Sequence, residues 1–145
     1  MKIITVNKKA RFNYNITDTY EAGIVLVGSE VKSIRRGGIS INESFIIIKD
    51  LEVFLKNAYI KPYEMAGNFQ PDSRRTRKLL LRKEEIIRIK RKMDIQKLAL
   101  VPLKVYFKKN HAKIEIGLGK GKKLYDKRET LKERTIKRNL EREEC

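Results

Sequence analysis

Apolar and polar positions alternate along much of the first sixty residues, the period of strands with one face buried. In RFNYNIT (11–17), Phe12, Tyr14 and Ile16 point one way and Asn13 and Asn15 the other. EAGIVLVG (21–28) is a second β run, and the two are expected to join as one long, bent or interrupted strand pair. SEVKSIRRGG (29–38) breaks the alternation and predicts a short helix. Val31 and Ile34 share a face, the Ser29 hydroxyl can cap a first-turn amide, and Gly37 suits a left-handed C-terminal stop. SFIIIKD (44–50) and EVFLKNAYI (52–60) read as strands joined by a tight turn at Lys49–Glu52.

Residues 61–76 have no period and hold Pro62, Gly67, Pro71 and Asp72, which predicts a long surface loop. RRTRKLLLRKEEIIRIKRKM (74–93) contains a basic helix whose apolar face is expected from Leu79, Ile86, Ile87 and Met93. LALVPLKVYF (98–107) is a strand in which Pro102 demands an edge or a bulge. After a turn over 108–113, KIEIGLG (113–119) returns beside it, with Ile114, Ile116 and Leu118 alternating. Five to six short antiparallel strands with a helix between them predict a mainly β fold, a small closed barrel of the oligonucleotide-binding type.

Beyond Leu124 only Leu131, Ile136 and Leu140 are aliphatic. Asp126 and Glu129 have capping-box spacing, and Glu133 and Lys137 form a favourable helical pair. The apolar face is too sparse to dock firmly. The expected organisation is an RNA-binding barrel over 1–124 and a basic tail over 125–145, disordered alone and helical when bound.

Charge narrows the function. Lys and Arg number 35 against 18 Asp and Glu, a net charge of +17 in 145 residues. Self-repulsion on that scale calls for a polyanionic partner. A membrane surface is disfavoured, because no apolar run approaches the ~20 residues of a span. MKIITVNKKAR is too short and too quickly basic for a signal peptide, so a cytoplasmic protein is expected. The only cysteine is Cys145 and the only histidine His111, read as a solvated turn residue. Neither supports a metal centre, and no cofactor is expected. GLGKGKK lacks the spacing of a phosphate loop or a dinucleotide fingerprint.

The cations concentrate at 74–92 and 120–128, where they can neutralise phosphates. No helix-turn-helix, zinc-finger or basic-zipper pattern is present, which favours RNA over DNA. Phe12, Tyr14, Tyr20, Phe45 and Tyr63 are candidates for base stacking, with Phe12, Tyr14 and Phe45 assigned rather to the core. Tyr125 stands in a cationic stretch with no core to enter and is read as a stacking residue. Glu21, an acid beside Gly23 in a basic protein, either balances a nearby Arg or accepts hydrogen bonds from a base edge or a 2′-hydroxyl.

NKKAR (7–11), EAGIVLVGSEVKSIRRG (21–37), RKLLLRKEEI (77–86), LVPLKVYFK (100–108) and GKGKKLYDKRE (119–129), in this order, resemble the SsrA-binding protein (small protein B) family. The resemblance implies a six-stranded oligonucleotide-binding-type barrel with flanking helices and a basic tail. It implies a bacterial RNA-binding adaptor of trans-translation, not an enzyme. Such a protein binds transfer-messenger RNA (tmRNA, SsrA RNA) and delivers it to ribosomes stalled on messages without a stop codon. Alanyl-tmRNA with elongation factor Tu would be partners, and the protein itself a monomer. By this resemblance Asn7, Lys8 and Glu21 match positions that contact the elbow of the tRNA-like domain, and Leu80 belongs to the same surface. Lys120, Lys122 and Lys123 match residues that grip RNA near the decoding centre. Tyr125 falls at a His-or-Tyr stacking position, and Asp126, Lys127 and Arg128 begin a tail that enters the empty message channel. Asp72-Ser73 departs from the family's Asp-Pro, and the end, EREEC, is short and acidic. Two other classes share the charge: a structural ribosomal protein and an RNA-processing enzyme. For the latter no metal-binding set is visible.

Overall fold

Ile114, Ile116 and Leu118 alternate along one strand and are completely buried. Their strand is the spine of the fold, paired along both edges. The computed structural model describes residues 2–63 and 71–122. Within them the chain runs β1 (Lys2–Val6), α1 (Lys8–Asn13), β2 (Tyr14–Ile24), α2 (Gly28–Arg35), β3 (Ile39–Ser40) and β4 (Phe45–Lys49). It continues through β5 (Glu52–Lys56), β6 (Tyr59–Ile60), β7 (Arg77–Leu80), α3 (Lys83–Gln96), β8 (Ala99–Lys108) and β9 (His111–Gly121).

The main sheet is antiparallel in the order β1-β8-β9-β2-β7-β5-β4. Six of these strands, β8 through β4, come back on themselves, because β4 lies against β8. This ring is the expected six-stranded barrel. The further segments are accessory: β1 pairs with the outer edge of β8 over Lys104–Phe107, and β3 and β6 form a separate ribbon. The barrel interior is apolar, and Ile34 of α2 and Ile86 and Ile89 of α3 join the same core.

Several local expectations are met with recognisable chemistry. β2 joins parts of the two predicted runs in one strand over Tyr14–Ile24, bent by a register shift between Ile16 and Asp18, and residues 25–28 lie outside it. The β4–β5 hairpin turns on Asp50 (φ 51°) and Leu51 (φ 60°), the left-handed pair that a two-residue turn requires. Gly37 (φ 79°) stops α2, donating its N–H to the Ile34 carbonyl at 2.8 Å. Pro102 meets both options: the β8–β9 register shifts between Pro102 and Lys104, and β1 pairs with β8 only from Lys104 on, which leaves Pro102 on an open edge.

Other expectations fail for physical reasons. Residues 11–13 are not strand but the end of α1. β1 and β2 are separated by β8 and β9 in the sheet. Their link must therefore cross about 14 Å, three inter-strand spacings, and a helix with Ala10 tucked beneath it does so. The basic helix starts at Lys83, not in the seventies: Arg77–Leu80 is strand β7, which puts Leu79 in the barrel and completes the ring between β2 and β5. Ile86 and Ile89 are its buried residues, and Ile87 faces outward. Ser29 is not the N-cap of α2. The helix begins at Gly28, and the Glu30 carboxylate accepts the Val27 N–H at 3.0 Å. Phe45 is 48% exposed, not core.

One buried ion pair ties these parts together. Arg77 is 1% and Glu30 2% exposed. Glu30 Oε2 accepts from Arg77 Nε at 2.8 Å, and Oε1 accepts from Arg75 Nη2 at 2.6 Å. Arg77 also donates to the carbonyls of Ala58 (2.8 Å) and Ser73 (3.2 Å). Burial pushes the Glu30 carboxyl up, but the bonds from Arg75, the Val27 amide and Arg77 outweigh it and hold it below the usual glutamate range. Burial lowers Arg77 too, yet a guanidinium starts so far above neutrality that it stays charged.

Removing one partner strands the other charge. Arg77→Met is expected to cost about 3–5 kcal/mol of unfolding free energy, and the double change Glu30→Gln/Arg77→Met less than the two single costs added. Urea titration measures both. Because the Glu30 carboxyl is depressed in the folded state, its contribution is present above the unfolded value of about 4.3 and is lost as pH falls through the lower folded value. The wild-type urea midpoint should therefore drop at acid pH, and drop less in the Glu30→Gln protein.

Candidate nucleic-acid interface

Alternation on β9 sends Ile114 and Ile116 inward and Lys113 and Glu115 outward. The register then aligns Glu21 of β2 with Glu115, and Gly23 with both Lys113 and Leu80 of β7. Gly23 keeps this spot low. A Cβ there would sit 3.4 Å from the Leu80 Cβ and 3.7 Å from the Lys113 Nζ. Leu80, 54% exposed, stands beside this flat patch. Glu21 and Leu80, far apart in sequence, thus share one surface.

Among the described residues Glu21 pairs with no arginine. Tyr106, from β8, donates its hydroxyl to Glu21 Oε2, and Lys108 Nζ lies 3.8 Å from the same atom. The Tyr106 hydrogen bond above all, helped by the charges of Lys108 and Lys113, holds the Glu21 carboxyl below its usual range against the opposing effect of burial. Tyr106 is correspondingly raised, by burial first and by its bond to Glu21 second. Next along the face, Glu115 is gripped by Lys104 at 3.2 Å and Arg11 at 3.9 Å.

Asn7 and Lys8 stand at the start of α1, across β8 from this row. Lys8 is exposed. The Asn7 side chain is 6% exposed, and its Nδ2 donates to the Pro102 carbonyl at 2.9 Å, so it anchors the β1–α1 corner to the β8 bulge. Lys120 and Lys122 lie at the far end of β9. Seven residues separate Lys113 from Lys120, about 23 Å along a strand. Lys120 is exposed, and the Lys122 N–H donates to the Asn13 carbonyl at 2.8 Å. Lys123, Tyr125, Asp126, Lys127 and Arg128 fall outside the described residues.

The residues that sequence reasoning missed are those that complete the Glu21 surface: Tyr106, Lys108, Lys113, Lys104 and Arg11. Alternation marks Lys113 as outward, but Tyr106 reads as one more apolar residue in LKVYF. A second cationic face escaped notice as well. Lys32 and Arg36 of α2 stack over Tyr63 at 5.7 and 5.1 Å, and Arg35 over Phe107 at 4.9 Å. None of the three meets a carboxylate among the described residues. Among those residues, no group of three His, Cys, Asp or Glu converges as a metal site, and no helix is long and apolar enough to cross a membrane.

Comparison with known proteins points the same way. The family model described as "SmpB protein" matches residues 4–144. An SsrA-binding protein of Mesoplasma florum is 54% identical over 137 residues, covering 94% of this chain and 92% of that protein. One of Trichodesmium erythraeum is 50% identical over 142 residues, covering 97% and 91%. A chain of the solved structure "tmRNA-SmpB: a journey to the center of the bacterial ribosome" is 48% identical, with a TM-score of 0.68 over 83% of this chain and 85% of that one.

The Glu21–Tyr106 bond has a direct readout. Tyr106→Phe removes the largest influence lowering the Glu21 carboxyl and should raise its titration midpoint toward the ordinary glutamate value. Carboxyl-detected NMR titration checks this. An unmoved midpoint would assign the depression to the lysines alone.

Proposed function

The chain belongs to the SmpB protein family, and from that premise we propose that it is an RNA-binding adaptor of trans-translation, one that binds tmRNA and delivers it to stalled ribosomes. The observation that carries this reading is the separation of two surfaces on one rigid barrel. The Glu21–Leu80 surface stands at one end of β9 and the exposed Lys120 at the other.

The first surface fits a folded RNA elbow. Leu80 and the flat patch at Gly23 offer apolar contact to a sugar or base, Lys113 and Lys108 meet phosphates, and Glu21 accepts from a 2′-hydroxyl or a base amine. Lys8 extends the cationic border, with Asn7 holding the corner that presents it. The second surface is where the chain leaves the barrel. There Lys120, Lys122 and Lys123 grip RNA near the decoding centre, Tyr125 stacks, and Asp126, Lys127 and Arg128 lead a helical tail (125–145) into the vacant message channel. The barrel domain, 1–124, holds tmRNA throughout. The adaptor works as a monomer in the cytoplasm, its cargo alanyl-tmRNA with elongation factor Tu, and it performs no catalysis of its own.

Gel shifts against tmRNA and a length-matched unstructured RNA test the core of the proposal. A strong preference for tmRNA is expected, and equal affinity overturns it. Glu21→Ala should weaken tmRNA binding about tenfold or more, the worth of one charge-assisted hydrogen bond, with circular dichroism unchanged. Deleting residues 126–145 should leave that affinity within about twofold while abolishing peptide tagging on stalled ribosomes, because the barrel and tail act on different RNAs.

A further inference from the structure

The barrel is not sealed all the way round. β4 lies against β8 without a hydrogen-bonded ladder, and β1 pairs with β8 only over Lys104–Phe107. Between β4 and the Ala99–Pro102 half of β8 a groove of about 420 Å³ remains. Its walls combine three kinds of group. Phe45, half exposed, offers an aromatic surface. Asn13, Asn42 and Ser44 bring neutral polar side chains. Lys9 supplies a cation, and among the described residues no carboxylate lines the groove.

A buried polar atom in the wall has no partner. Asn7 spends its Nδ2 on the Pro102 carbonyl at 2.9 Å, which fixes the orientation of the amide. Its Oδ1 then has no donor among the described residues, although the side chain is more than nine-tenths buried. An orphan acceptor of this kind is costly unless something completes it.

We propose that this groove is a pocket for one unstacked nucleobase carrying an exocyclic amine: adenine, cytosine or guanine. The base stacks on Phe45, its edge meets the asparagine amides and the Asn7 carbonyl, and its phosphate meets Lys9. The volume lies within the range of small-ligand sites. The other possible occupant is the chain's own segment after Lys122, whose N–H already bonds Asn13 on the groove wall. That segment carries five charged residues among positions 123–129, a poor filling for a groove of neutral amides and an aromatic ring. The proposal rests on the RNA-binding reading above but adds a site that reading does not contain. The base can come from tmRNA or from ribosomal RNA.

The test is an NMR titration of the full-length protein with AMP, CMP, UMP and ribose 5-phosphate. AMP and CMP are expected to shift the amides of Phe45 and Val101 and leave those of Glu21 and Leu80 unmoved, with UMP weaker and ribose 5-phosphate silent there. Phe45→Ala should weaken AMP binding about tenfold, the lower end of what one base–aromatic stack supplies, and Phe45→Tyr should restore it. Equal shifts from ribose 5-phosphate, UMP as tight as AMP, or indifference to Phe45→Ala each overturn the pocket. So does movement of the groove amides on Tyr125→Ala without nucleotide, which would give the groove to the tail. A benzophenone amino acid at position 45 then locates the source, by crosslinking to tmRNA in the free complex or to small-subunit RNA on stalled ribosomes. Crosslinks to neither RNA overturn the pocket. A protein that binds tmRNA normally with a silent groove loses this proposal and keeps its function.

Discussion

The buried pair of Glu30 and Arg77 is the constraint from which the rest of the molecule follows. A chain with a net charge of +17 repels itself, and its cations cannot be taken out of water unless each meets an acceptor. Glu30 solves this at the crowded point where α2, β7 and the turn after Asn57 meet. Its two oxygens serve Arg77 and Arg75, and Arg77 in turn fastens the Ala58 and Ser73 carbonyls. One carboxylate therefore fixes where a helix crosses, where a strand enters the barrel and how the segment before β7 is held. Elsewhere the acids are spent at the surface: Asp18 on Lys92, Glu115 on Lys104 and Arg11, Glu21 on Tyr106 and Lys108.

That economy of charge shapes the interface. The barrel acts as a spacer whose length is set by β9, and its two ends present different chemistry. One end is a mixed surface with an exposed leucine, a glycine flat and a carboxylate. The other is plainly basic. Phosphate attraction alone is sequence-blind and falls with salt, so it cannot by itself select one folded RNA. Selection needs the shape of a surface, and a rigid antiparallel ladder paired on both edges holds shape better than any loop.

Alternation made β9, the β4–β5 hairpin and the barrel class readable from the chain, because in those places a single buried face decides the structure. It failed where topology decides. Nothing local in KKARFN announces a helix. The helix is needed because β1 and β2 are not neighbours, and that is a fact about β8 and β9, nearly a hundred residues on. The triple leucine at 79–81 suits helix or strand equally, and only the vacancy between β2 and β5 assigns Leu79 to a strand. The site follows the same division. Glu21 drew notice as an acid beside a glycine in a basic protein, and its sharing a surface with Leu80 was reached through family resemblance. Tyr106 and Lys108 could not be reached so, since their bearing on Glu21 exists only once β2, β9 and β8 are in register.

An acid in the surface proposed to face RNA looks like a mistake in electrostatics, and the geometry gives a reason to tolerate it. A free glutamate there would repel phosphates and wander among rotamers. Tyr106 and Lys108 both approach Oε2, so the carboxylate is held ionised, partly neutralised and fixed in direction, with Oε1 left outside those contacts. A pre-oriented acceptor loses little entropy on binding. It rewards a 2′-hydroxyl or a base amine placed opposite it and penalises a phosphate in the same position. On the proposed function, Glu21 would act as a discriminating group rather than as a source of raw affinity, and the surrounding lysines would supply the affinity that lets so basic a protein keep an acid there.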